Sequence, residues 1–129
     1  MIGNLNKEQL EGILETIPID ISFVDENDLV KFWNKHETRI FKRPYSAIGK
    51  AAQNCHPKRS IDKVNQVLSD LKSGKRDLVE FWIDLKGRKV YIKYFAVRDK
   101  ADRYLGTLEA TQDITEIKKI EGEKRLLEY

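Results

Sequence analysis

Three stretches late in the chain do most to limit how it can fold. Leu78 to Leu85, Lys89 to Arg98 and Tyr104 to Gln112 each read as a strand, and only Lys86-Gly87 and Asp99-Lys100-Ala101-Asp102 separate them. Connections this short cannot carry a crossover, so the strands are expected to run antiparallel as a meander. In the first of them Val79, Phe81, Ile83 and Leu85 share one face, because side chains alternate along a strand. Glu80 and Asp84 lie on the other face, where Leu78 and Trp82 interrupt them. One face is therefore expected to form a helix-covered core and the other to be only partly polar.

The remaining segments supply that cover and two more strands. Asn6 has Gln9 three residues on, the spacing of a capping box, with Leu5 and Leu10 placed as a hydrophobic staple. Leu10, Ile13, Leu14 and Ile17 then fall on one helical face before Pro18 stops the run. Ile19, Ile21 and Phe23 alternate with Asp20 and Ser22, Glu26-Asn27-Asp28 makes a polar turn, and Val30 and Phe32 flank Lys31, a pattern that predicts a β-hairpin. Residues 35–59 have weak periodicity, Pro44, Pro57 and Gly49, and read as short helical turns joined by loops. Ser60 stands as cap for a longer helix over about 60–73 with Ile61, Val64, Val67, Leu68 and Leu71 on its buried face and Gly74 just past its end. Asp113 and Glu116 have capping-box spacing for a final amphipathic helix carrying Ile117, Ile120 and Leu127. The expected fold class is α+β, a five-stranded antiparallel sheet with helices on one face and a flanking helix at each end. The expected division is a flanking helix over 1–17, a core over 18–113 and an exit helix over 114–129.

With 129 residues and 40% hydrophobic content there is room for one domain with one moderate core. Net charge is +3, from 24 basic and 21 acidic residues whose signs are interspersed, so no nucleic-acid partner is expected. Cys55 is the single cysteine and excludes an intrachain disulfide, which makes the cytoplasm the default compartment. No run approaches the ~20 apolar residues that span a bilayer, so no membrane association is expected.

Particular residues, in this order of elements, carry a resemblance. Asp25 follows the first strand and Asn34 the second, Ile40-Phe41 and Ile48-Gly49 mark the loop, His56-Pro57 precedes the long helix, and Gln112-Asp113-Ile114-Thr115-Glu116 closes the sheet. Together they resemble the Per-Arnt-Sim (PAS) sensory fold, in which an Asp-Ile-Thr motif hands over to a signalling helix. A narrower set, Asn54-Cys55-His56-Pro57, Phe81-Trp82-Ile83, Tyr94 to Asp99, Tyr104 to Glu109 and Gly122 to Leu127, is similar to PAS domains found C-terminal to hemerythrin-like domains in bacterial and archaeal proteins. The resemblance implies a hemerythrin-like or other signalling domain in a parent protein. With two histidines, the chain cannot itself supply a His-rich di-iron site.

That resemblance implies a cavity between the helices and the curved sheet, for which Phe23, Phe41, Val64, Leu68, Phe81 and Ile83 are the expected lining, with His56 beside them. A small apolar or aromatic ligand is the expected occupant. His56 is the one candidate for an axial heme ligand, but the same His-Pro pair shapes the loop in PAS domains without metal. Flavin is not expected, since Leu108 stands where flavin-binding relatives place a contacting Gln, and adjacent Cys55 and His56 lack the spacing of a zinc site. No nucleophile with a base, paired carboxylates in an apolar setting, or phosphate loop is evident, so no enzyme is expected. No cofactor is expected either.

The preferred reading is a sensory or regulatory module that binds a small ligand or protein partner and dimerises. Leu10, Ile13, Leu14 and Ile17 of the first helix and Ile117 and Ile120 of the last are the expected interface, with Trp82, Phe95 and Val97 adding apolar surface on the sheet. Two other classes compete with it: a purely structural dimerisation domain with a filled core, and a heme-based redox or gas sensor through His56.

Overall fold

A computed structural model describes residues 2–128. Helix α1 spans Lys7–Thr16, strands β1 and β2 span Asp20–Asp25 and Val30–Trp33, helix α2 spans Ile61–Ser73, and strands β3, β4 and β5 span Leu78–Leu85, Arg88–Arg98 and Tyr104–Asp113. Between β2 and α2 the chain makes three 3-10 turns, at Tyr45–Ala47, Ala52–Cys55 and Lys58–Ser60. The five strands form one sheet in the order β2-β1-β5-β4-β3, with every pairing antiparallel. The expected meander and hairpin are both present. Lys86 and Gly87 turn β3 into β4 with φ of +50° and +77°, the paired positive values of a type I′ hairpin.

The capping box of α1 forms as its spacing predicts: Gln9 N donates to Asn6 Oδ1 over 2.7 Å, and Asn6 N donates to Gln9 Oε1 over 3.1 Å. The α2 N-terminus departs from expectation. Ser60 occupies the cap position but its side chain makes no capping hydrogen bond, because the preceding 3-10 turn already brings the backbone in at φ −102°, ψ −6° rather than in the extended form a side-chain cap needs. Helix α2 lies against β4 and β5, burying Leu68 and Leu71, and stops at Gly74 with φ +81°.

Strand register divides the sheet into two faces of unexpected character. On the face toward α2, Trp33, Ser22, Glu109, Tyr94 and Val79 stand in one row, and Asp20, Thr111, Ile92 and Phe81 in the next. On the opposite face Phe32, Phe23, Leu108, Phe95 and Leu78 form an unbroken apolar row. Strands β1 and β5 thus turn Asp20, Ser22, Thr107, Glu109 and Thr111 inward beside Val24, and Phe23 and Leu108 outward. Gly106 of β5 allows this close packing: a Cβ there would stand 2.1 Å from the Val24 carbonyl oxygen and 2.5 Å from the Phe23 ring.

The expected exit helix does not form. After β5 the described chain makes a single 3-10 turn at Ile117–Lys119 and no further regular element. Asp113 does not pair with Glu116 in a capping box. Its Oδ1 instead accepts from the Thr115 amide at 3.0 Å and the Thr115 hydroxyl at 2.6 Å, while Arg88 binds its Oδ2 at 2.7 Å. Positive φ at Gly122 and Leu127 breaks the helical path, and Ile117 and Ile120 are exposed with no face of the chain to pack on. A short charged segment gains too little from its own hydrogen bonds to stay helical without such packing.

Candidate functional site

Between α2 and the inner face of the sheet lies a cavity of about 440 Å³. Its walls are largely apolar: Val64, Val67 and Leu68 from α2, Val24 and Val30 from the first hairpin, and Val79 and Phe81 from β3. The periodicity of α2 places Val64, Val67 and Leu68 on one stripe, and sheet alternation does the same for Val79 and Phe81. A volume in this range is that of a small-molecule site.

Several polar groups converge on these walls. Glu109 projects from β5 between Ser22 of β1 and Tyr94 of β4, its partners in register, and Arg43 arrives from the loop after β2. Arg43 Nη2 stands 3.4 Å from Glu109 Oε2, and both side chains are only 12% exposed. Arg43 Nε is buried and has no acceptor among the described residues. Burial, with the negative charge of Glu109 adding to it, pushes the Tyr94 hydroxyl well above the usual phenol range, so it remains a proton donor at neutral pH. His56, at the turn before α2, also lines the cavity. Burial lowers its pKa and outweighs the upward pull of Glu109, which keeps the imidazole neutral near pH 7.

The sequence-predicted residues divide among three places. His56, Val64, Leu68 and Phe81 line the cavity. Phe41 and Ile83 line an adjoining groove, which shares Arg43, His56, Phe81, Tyr94 and Glu109 with it. Phe23 belongs to neither; it sits between Ser22 and Val24, both of which face the cavity, so alternation directs its ring to the outer row. The same parity corrects the flavin argument, since Leu108 is an outer-face residue and Glu109 is the neighbour that faces the cavity. Arg43, Glu109, Tyr94, Ser22 and Thr107 line the cavity too, and are not among the site residues expected from sequence. A signal did exist in β5, where Thr107, Glu109 and Thr111 recur with a period of two, but such a row reads equally as a solvent face.

Of the expected interface residues, Leu10 and Ile13 are 44% and 45% exposed, Leu14 and Ile17 are half-buried, and Ile117 and Ile120 are exposed. Among the described residues no group of three or more His, Cys, Asp or Glu side chains is placed to hold a metal ion, and no helix is long and apolar enough to cross a membrane.

A family model described as "PAS domain" matches residues 10–115. The chain belongs to the PAS family. This PAS domain is 36% identical to the C-terminal domain of a Streptococcus mutans protein, with 94% of each chain covered and a TM-score of 0.88. The PAS domain of BvgS from Bordetella pertussis is 19% identical, with 84% of this chain and 86% of that one covered and a TM-score of 0.64. VqmA of Vibrio cholerae is 17% identical over 93% of this chain and 56% of its own, with a TM-score of 0.65. No curated protein matches the chain in sequence. The two Vibrio and Bordetella structures share the fold with this PAS domain.

Proposed function

We propose that this PAS domain is a sensory or regulatory module, not an enzyme, that holds a small and largely apolar or aromatic ligand between α2 and the sheet and signals as a cytoplasmic homodimer. The observation that carries the proposal is the cavity of about 440 Å³ with Arg43, Glu109, Tyr94 and His56 on its wall. A filled core would leave no such volume, which weighs against a purely structural role. His56 stands among donors that suit an organic ligand, and the reading takes neither heme nor flavin as the occupant. Signalling is a population shift: the ligand stabilises whichever packing of α2, the sheet and the terminal segments it binds better.

The finer kinship, with PAS modules that follow a hemerythrin-like domain, belongs to the same proposal. The Streptococcus mutans relative is likewise a C-terminal domain, the position that this reading gives the module in a parent protein.

Val64→Trp tests the ligand site, because the indole would occupy the cavity. With 2-naphthamide as probe, the melting temperature of the unmodified protein is expected to rise with probe concentration, as binding to the folded state alone requires. The Val64→Trp protein should melt cooperatively and show no rise. Equal rises in the two proteins would place binding elsewhere and overturn the proposal.

A further inference from the structure

The cavity is apolar over most of its wall, yet its polar corner is incompletely paired. The guanidinium of Arg43 presents five N–H donors. Its one hydrogen bond among the described residues is the 3.4 Å contact of Nη2 with Glu109, which leaves most N–H groups of this cavity-lining guanidinium without a protein acceptor. A hydrogen bond donated by a charged group in a largely buried setting is stronger than a neutral one, so an acceptor brought to Arg43 from within the cavity is held firmly. We propose that the cavity takes a neutral ligand, apolar over most of its body, whose carbonyl-type oxygen accepts a hydrogen bond from Arg43. This inference rests on the sensory reading above and specifies the chemistry of its ligand.

The charges around Arg43 decide between a neutral and an anionic ligand. Glu109 already balances Arg43, and both are largely buried. A carboxylate brought to Arg43 would lie beside the Glu109 carboxylate, in a setting where like charges repel more strongly than in water. Lys63 also lines the cavity, but it is exposed, so solvent screens its compensation. Tyr94, held protonated, and neutral His56 add no charge to attract an anion. A carbonyl oxygen satisfies the donor without that repulsion, and an adjoining N–H can donate to Glu109. An amide or lactam on an aromatic or aliphatic body has this combination.

Three probes of similar shape separate the possibilities: 2-naphthamide, 2-naphthoate and 2-methylnaphthalene, titrated into the protein and followed by amide chemical shifts. Wild-type protein is expected to bind the amide at least about tenfold more tightly than either of the others, the scale of one hydrogen bond to a charged group. In Arg43→Met the amide's advantage over the hydrocarbon should fall to less than about threefold. In Glu109→Gln the naphthoate should gain about tenfold, because the repulsion is gone; this second variant keeps the test decisive if Arg43→Met does not fold. Tightest binding of naphthoate to the wild type would overturn the inference in favour of an anion site. Equal binding of all three probes would overturn it while leaving the ligand-binding reading intact. Failure of all three to shift any cavity residue would remove both.

Discussion

Asn34 shows how one residue can hold several segments. It has no exposed surface, donates through Nδ2 to the carbonyls of Leu14 and Ile19 at 2.7 and 3.1 Å, and accepts from the Ile21 amide at 2.7 Å. The end of α1 is thereby tied to the start of β1. Asp113 does comparable work at the exit of the sheet, and its chemistry makes it sensitive to pH. The Arg88 guanidinium foremost, then the Thr115 hydroxyl and amide, hold its carboxyl well below the usual aspartate range. A carboxyl whose pKa is depressed by folding stabilises the fold at pH values above its unfolded pKa, and that contribution is lost as the pH falls through the lower, folded value. Urea midpoints should therefore show wild type above Asp113→Asn at pH 7, with the gap closing as the pH falls from about 4 toward 2. A gap of constant size across that range would contradict the assignment. Other residues were harder to read from sequence. Phe23 and Glu109 are hard to place from sequence because alternation reveals which residues share a face, not which face is inside. The register of β1 against β5 puts Ser22 and Glu109 on one face, and the packing of α2 over that face makes it the cavity wall.

At the scale of elements, legibility followed locality. The capping box of α1, the Lys86-Gly87 hairpin and the alternation of β3, β4 and β5 depend on residues within a few positions of one another, and each was legible in the sequence. The exit segment was not, because Ile117 and Ile120 have helical spacing whether or not a surface exists to receive them. The same consideration bears on assembly. The outer row Phe32, Phe23, Leu108, Phe95 and Leu78 runs across all five strands, Trp82 is 60% exposed on that face, and no residue of α1 is fully buried. Taking a large apolar side chain from full exposure to full burial is worth roughly 1.5–3 kcal/mol; Phe32, Phe23, Leu108 and Phe95 are already half-buried and add less, so the gain falls chiefly on Trp82, Leu78, Leu10 and Ile13. Our proposal of a homodimer places α1 and this outer row at the two-fold interface. Light scattering at micromolar concentration should give twice the monomer mass, and Ile13→Asp should return it to that of the monomer. A wild-type protein that is already monomeric would contradict the dimer. Ile120→Asp separates the two ends: loss of the dimer would show that the exit segment gains structure only when a second subunit receives it.

For the whole molecule, the two faces of one sheet divide the proposed work. The inner face, with α2 above it, encloses the site; the outer face carries the apolar row available to a partner. Strands β1 and β5 belong to both, since Ser22, Val24, Thr107 and Glu109 face the cavity while Phe23 and Leu108 lie between them on the other side. A ligand that repacks the inner row therefore acts on strands that also form the outer one, with no intervening element. Amide chemical-shift mapping with 2-naphthamide tests this account most directly. Perturbations should be largest at Ser22, Thr107, Glu109, Tyr94 and Val64 to Leu68, saturate with probe concentration, and extend more weakly to Phe23 and Leu108. Perturbations centred on the outer row with the inner residues unmoved, or none at saturating probe, would contradict it.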